Sequence, residues 1–242
     1  MTFAAGIRVR GGLVALADTR IVRGDEASTK GKLSLIDHHG CGVFVVTSGL
    51  RSIRDKAVLR LQAQLAAGDT KHTRLHELAS ALGEQFKQIR AEDGASLRAS
   101  DLSFNAHAIL GGQLPDDDEA TLALVYPEGN WIVATEDAPY FLVGRSAYGR
   151  PILDRLLRYD TDLRRAASLA YLAFEATQAS VVDVGYPFDV VVLDGMDEPT
   201  VRRFTADDLG PVDRYWNDSL HAVIDNLPVD WLTSPAPRMN EP

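Results

Sequence analysis

Short apolar stretches broken by tight turns open the chain. Phe3 to Val9 is small and apolar, Arg10-Gly11-Gly12 turns it, and Leu13 to Ala17 returns, which predicts a hairpin. A polar loop follows. Lys32 to Asp37, a His38-His39-Gly40 turn and Cys41 to Thr47 then predict a second hairpin, rich in Val and Phe. The period changes after that. Ile53, Ala57, Leu61 and Leu65 recur on one helical face, and Leu75, Leu78, Leu82, Phe86 and Ile89 recur on another, so two helices are expected. A second β block runs through Asn105 to Leu110, Leu122 to Tyr126, Trp131 to Ala134 and Phe141 to Val143, with turn-forming residues between. A second helix pair covers roughly Tyr148 to Arg158 and Thr161 to Gln178, with Thr161 as N-cap of the latter. Phe188 to Leu193 and Thr200 to Phe204 read as strands. Leu209, Val212, Trp216, Leu220, Val223 and Leu227 mark a C-terminal helix, and the proline-bearing tail after Trp231 is expected to be loosely held.

Strands, helix pair, strands, helix pair, strands is an order that suits two stacked antiparallel sheets with helices on both outer faces, an α+β domain. No repeat or linker interrupts it, so residues 1–242 are expected to form one domain. The net charge of −9 with scattered basic residues argues against binding to a nucleic-acid backbone. No apolar run approaches the roughly 18 residues of a membrane span. The N-terminus lacks the pattern of a signal peptide, and the single cysteine, Cys41, fits a reducing compartment, so a cytoplasmic location is expected. The run Asp116 to Glu119 reads as a solvated hairpin tip.

Hairpin arithmetic gathers a more specific set. A first turn centred on Arg10 and Gly11 returns Asp18 to the side of Phe3 and Thr2. The second hairpin puts Lys32 across from Val46 or Thr47, with Ser48 and Gly49 just beyond. If the two hairpins lay side by side, one sheet edge would gather Thr2, Asp18, Lys32 and Gly49. With Met1 removed, the α-amine of Thr2 could act as base for its own hydroxyl, because its ordinary pKa of about 7.7–8.0 lies near working pH. An ammonium from Lys32, steadied by Asp18, would favour the free amine and the developing alkoxide. The amide of Gly49 is a candidate oxyanion donor. Each residue alone has a bland reading: an incidental second residue, a strand-ending aspartate, a solvated edge lysine, a turn glycine.

These residues resemble the opening of the proteasome β-subunit superfamily of N-terminal-nucleophile hydrolases, and in particular the bacterial Anbu (ancestral β-subunit) proteins. Gly11-Gly12-Leu13-Val14, Ala17-Asp18-Thr19-Arg20, Ser28-Thr29-Lys30-Gly31-Lys32-Leu33 and Ser48-Gly49 carry the resemblance at first. Ile109-Leu110-Gly111-Gly112-Gln113, Val125 to Asn130, Tyr148 to Asp154 and Val184 to Asp189 are similar to Anbu more specifically. The resemblance implies a four-layer αββα sandwich and threonine peptidase activity, with Thr2 as nucleophile, Lys32 as its activator and Asp18 as partner of the lysine. It implies that Ser146 bonds the threonine amine and that Ile21, Val22 and Thr47 line the substrate groove and first specificity pocket. The stretch that supports the nucleophile in the family reads Gln178 to Asp183 here, leaving Ser180 and Asp183 as replacements, and Arg145 stands where Anbu proteins tend to carry an acid. No cofactor and no metal is implied. The implied partners are peptide or unfolded polypeptide, further copies of the chain in a ring or open spiral, and an activating partner of unstated kind. Neither membrane nor nucleic acid is among them.

Rival chemistry is thin. His38 and His39 fall in a turn, and His72 and His76 have a zinc-binding spacing without a third ligand. His107 and His221 have no Ser or Cys elbow nearby. Two other functions share the resemblance: a non-proteolytic assembly subunit, and a hydrolase of small amides.

Overall fold

The computed structural model describes residues 2–23, 26–68, 72–195 and 198–229, and of residues 22, 23, 26 and 27 only the backbone. Strands β1 (Phe3–Val9) and β2 (Gly12–Asp18) pair antiparallel with Ala4 opposite Ala17 and Val9 opposite Gly12, the register that a turn at Arg10-Gly11 demands. All residues of both strands are buried, because one face meets helices and the other meets a second sheet. β10 (Tyr140–Gly144) extends this sheet beside β1, and β11 (Phe188–Asp194) and β12 (Thr200–Phe204) extend it beyond β2, giving the order β10-β1-β2-β11-β12.

The second sheet has the order β5-β6-β7-β8-β9, built from β5 (Leu33–His38), β6 (Cys41–Ser48), β7 (His107–Gly112), β8 (Thr121–Val125) and β9 (Trp131–Val133). The two predicted hairpins therefore belong to different sheets. They meet face to face across an apolar layer that includes Ala4, Leu13, Ala15, Phe44, Val46 and Ile109, and no single sheet edge joins them. The reason lies far along the chain: β10 and β11 flank the first hairpin, and β7 takes the free side of β6.

Helices α1 (Arg51–Ala66) and α2 (Leu75–Ala99) cover the outer face of the second sheet through Ile53, Ala57, Leu61, Leu82 and Phe86. α3 (Arg150–Leu156) packs with α4 (Leu163–Gln178), which covers β1 and β2. On that side Phe174 lies 4.7 Å from Phe188, ring to ring. The layers are α, β, β, α.

Some elements depart from expectation. Asp162, not Thr161, caps α4, its carboxylate accepting from Arg165 N at 2.9 Å. α2 continues ten residues past Ile89 to Ala99, where the apolar period has faded but Leu97 still packs on the core. The polar loop after β2 contains a two-stranded ribbon, β3 (Arg20–Arg23) with β4 (Glu26–Thr29), too short and polar to announce itself by alternation. Asp117, in the supposed hairpin tip, accepts from Leu75 N at 2.9 Å and Leu114 N at 3.0 Å, so it pins the start of α2.

Residues up to Phe204 form one compact unit and those from Thr205 a second. The second contains α5 (Ala206–Asp225), opened by a capping box in which Asp208 accepts from Thr205 N at 2.7 Å. Its apolar residues recur at helical spacing, and none of its residues is buried. No helix among the described residues is long and apolar enough to cross a membrane.

Candidate active site

Asp18 ends β2 opposite the start of β1, with no exposed surface. Its Oδ1 accepts from Phe3 N at 2.9 Å and from Lys32 Nζ at 2.6 Å. One carboxylate oxygen thus ties the amide that follows Thr2 to the lysine ammonium. Lys32 also donates to the carbonyl of Arg20 at 3.0 Å, and its own carbonyl accepts from Thr47 N at 2.8 Å and Thr47 Oγ1 at 3.3 Å. Lys32 is held at both its backbone and its charged tip, and only 4 % of it is exposed. Thr2 is equally buried, and its carbonyl accepts from Arg145 N at 2.7 Å.

The electrostatics follow from burial. Removal from water pushes Lys32 below its ordinary pKa, against the pull of the Asp18 carboxylate and the hydrogen bond to it. It pushes Asp18 above the ordinary carboxylate value for the same reason, with Lys32 and the Phe3 amide opposing. Asp18 Oδ2 is buried without a hydrogen-bond partner among the described residues.

Two glycines shape the rim. Gly49, between β6 and α1, has φ +106°, and a Cβ there would lie 1.7 Å from Asn105 O. Gly144, opposite Phe3, has φ +83°, and its Cβ would lie 1.9 Å from Thr2 O. Only glycine lets these backbones approach so closely.

The remaining expected residues divide. Ser146 is half-buried two residues beyond Gly144, where its carbonyl accepts from Arg150 N at 3.0 Å. Ile21 is half-buried on β3, and the side chain of Val22 lies outside the described residues. Thr47 and Lys32 line a cleft of about 290 Å³ together with Leu33, Ser34, Val58 and Leu59. Asp183, in the loop between α4 and β11, bonds the Arg145 guanidinium through one oxygen, at 3.0 Å to Nη2 and 3.4 Å to Nε. Ser180 is not brought to the cluster by its hydroxyl, which donates back to Ala176 O at 2.9 Å on an exposed helix end.

Sequence reasoning missed Arg54. It is 2 % exposed, lies on α1 and adds a positive field to Lys32. Burial lowers its own pKa, with Asp55 and Asp18 opposing. The signal was its position four and seven residues before Val58 and Leu61, within the buried face. Among the described residues no group of three potential metal ligands converges.

No family sequence model matches the chain, and no curated protein does. Solved structures match along nearly its whole length. A mutant Anbu from Hyphomicrobium sp. strain MC1 is 31 % identical with a TM-score of 0.86, covering 94 % of this chain and 98 % of that one. Anbu from Yersinia bercovieri is 30 % identical with a TM-score of 0.86, covering 93 % and 97 %. The Anbu complex from Pseudomonas aeruginosa, solved as a helical assembly, is 28 % identical with a TM-score of 0.86, covering 99 % and 100 %. With a TM-score of 0.86, near-complete coverage of both chains and identity reaching 31 %, the chain belongs to the Anbu family of proteasome-like proteins.

Proposed function

We propose that the chain is an N-terminal threonine peptidase that acts on peptides or unfolded polypeptide once Met1 is removed, within an assembly of copies. The observation that carries this reading is the Asp18 oxygen shared by Phe3 N and Lys32 Nζ, which keeps a cation beside residue 2. The free α-amine, with a water between, takes the proton of Thr2 Oγ1 as the oxygen attacks the substrate carbonyl carbon. The Lys32 cation favours the developing alkoxide, and the amide of Gly49 donates to the carbonyl oxygen as it becomes an oxyanion. Collapse breaks the C–N bond and the ammonium returns its proton to the leaving amine, leaving an ester on Oγ1. Water, deprotonated by the same amine, then attacks the ester, the C–Oγ1 bond breaks to release the acid, and the ammonium returns its proton to Thr2 Oγ1.

Ser146 would hold the free amine. Thr47, with Ile21 and Val22, would guide the substrate, one side chain entering the cleft beside Lys32 and Thr47. The lone half-buried cysteine suits work in the cytoplasm. Self-assembly is supported by the helical assembly of the Pseudomonas relative. The apolar residues that α5 leaves exposed, Val223 at 62 % and Ile224 at 67 %, also support it. The altered Ser180–Asp183 stretch, whose serine hydroxyl closes on its own helix, favours a second reading, a subunit that assembles without cutting.

The experiment is to incubate Met1-free protein with a β-lactone or epoxyketone probe and locate any adduct by mass. The expected result is modification of Thr2 that disappears in Lys32→Met. An unmodified Thr2 in the wild-type protein overturns the hydrolase and leaves the assembly subunit. Turnover of peptide libraries compared with small amides then assigns the substrate class.

A further inference from the structure

Arg145 leaves β10 beside residue 2 and holds two groups at once. Its amide donates to Thr2 O at 2.7 Å, while its guanidinium grips Asp183 Oδ2 at 3.0 Å and 3.4 Å. Gly144 fixes how close this backbone comes, since even a methyl group there would fall on the Thr2 carbonyl. Asp183 is mostly buried and Arg145 partly so, at 16 % and 39 % side-chain exposure, so water screens the pair less than it would a fully exposed one. The field of Asp183 reaches Lys32, where it favours the ammonium. A second ion pair therefore stands within electrostatic range of Lys32–Asp18, tied by a backbone hydrogen bond to the residue whose amine and hydroxyl would react.

We infer that the Arg145–Asp183 ion pair is a charge-balancing and positioning device for residue 2, so that the amine freed by loss of Met1 meets a neutral pair in place of a bare carboxylate and gives up its proton near neutral pH. The charged groups around Lys32 and residue 2 come from several elements. β2 supplies Asp18, the segment before β5 supplies Lys32, α1 supplies Arg54, and the α4–β11 loop supplies Asp183. From β3, the Arg20 side chain packs on Gly185 in the same loop. Lys32 and Asp18 cancel to a first approximation and Arg54 is the same in every variant below, so changes at the amine follow whether Asp183 has its arginine. The lowered pKa of Asp183 fits this: burial would raise it, and the hydrogen bond from Arg145, the positive charge of the chain's N-terminus, the charge of Arg145 and a backbone hydrogen bond together outweigh burial.

The catalytic consequence rests on the hydrolase reading, but the test does not. In Met1-free protein, trace acetylation of the α-amine across a pH series, read as the mass of the N-terminal peptide, gives the amine's titration midpoint without turnover. Arg145→Ala keeps the backbone bond to Thr2 O and removes only the cation, so the midpoint is expected to rise by about half a unit to one unit. Asp183→Asn leaves the cation unmatched, so the midpoint is expected to fall by a similar amount. Arg145→Lys is expected to stay close to wild type, and the double variant Arg145→Ala with Asp183→Asn is expected to return there. Shifts of the same sign at the two positions, or no shift in either, overturn the inference. Should one variant fail to fold, the opposite sign expected of the other and the Lys rescue still decide it. A wild-type protein that titrates as expected yet refuses the β-lactone sinks the hydrolase and leaves this balance standing. Acylation with unmoved midpoints does the reverse.

Discussion

Lys32 and Lys56 both sit within hydrogen-bond distance of carboxylates, yet their surroundings drive them in opposite directions. Lys32 lies 2.6 Å from Asp18, with 2 % of its side chain exposed. Lys56 on α1 lies 2.8 Å from both Glu92 and Asp93 on α2, with 32 % exposed. Burial pushes Lys32 below its ordinary pKa despite its partner. Hydrogen bonds to Asp93 and Glu92 lift Lys56 above it, outweighing the desolvation that opposes them. The same pairing in water is a mild helix-to-helix tether, whereas inside the protein it is a charge held ready at a cost. Removing one partner of a buried pair strands the other, and removing one partner of an exposed pair hands it to solvent.

The largest effect is therefore expected at Lys32. Lys32→Met leaves the Asp18 carboxylate buried beside an apolar chain, and unfolding in urea is expected to show a loss of about 3–5 kcal/mol together with loss of acylation. Adding Asp18→Asn removes the stranded charge and keeps an acceptor for Phe3 N, so most of the stability should return while acylation should not. A double variant as unstable as the single would mean that Lys32 acts by packing, and the contrast with Lys56 would collapse.

Gly144→Ala probes the backbone side of the same site. The new Cβ at φ +83° must displace Thr2 O, so a loss of about 2–3 kcal/mol is expected. Residue 2 should move with it, and acylation should slow by more than the change in folded fraction explains. Unfolding in urea and the probe rate measured well below the unfolding midpoint separate the two effects. A stability loss with an unchanged rate would place the strain elsewhere.

These sites were unequally legible in the sequence. The turn at Arg10-Gly11 carries the pairing of Asp18 with the start of β1, and the turn at His39-Gly40 carries that of Lys32 with Thr47. Both depend on neighbours in sequence, where alternation and turn chemistry speak. The partition into two sheets does not, because Gly144 reaches Phe3 and Phe188 reaches Asp18 from more than a hundred residues away. Nothing local announces that Arg145 will meet Asp183. Arg54 hid for another reason: an arginine in a helix reads as surface unless the apolar positions around it are taken as evidence of where it points. Ser180 shows the converse, a serine at the right place in the chain whose hydroxyl closes on its own helix.

The smallest effect is expected at Glu92, and its sign is set by the direction of the shift. Arg60 and Lys56 hold the Glu92 carboxyl down at about 2, from an ordinary value near 4.5. A carboxylate depressed in the folded state contributes stability that is present above its unfolded pKa and lost as pH falls towards the folded one. Wild type should therefore shed this contribution between roughly pH 4.5 and 2, and Glu92→Gln should lack it at every pH. Because the pair faces solvent, raising the salt concentration at neutral pH should bring the thermal midpoints of wild type and Glu92→Gln together. Salt should leave the deficit of Lys32→Met almost untouched, since the side chains of Lys32 and Asp18 are 2 % and 0 % exposed and a buried pair is screened far less. If salt closed both gaps equally, the two lysines would share one environment and the distinction drawn from their burial would fail.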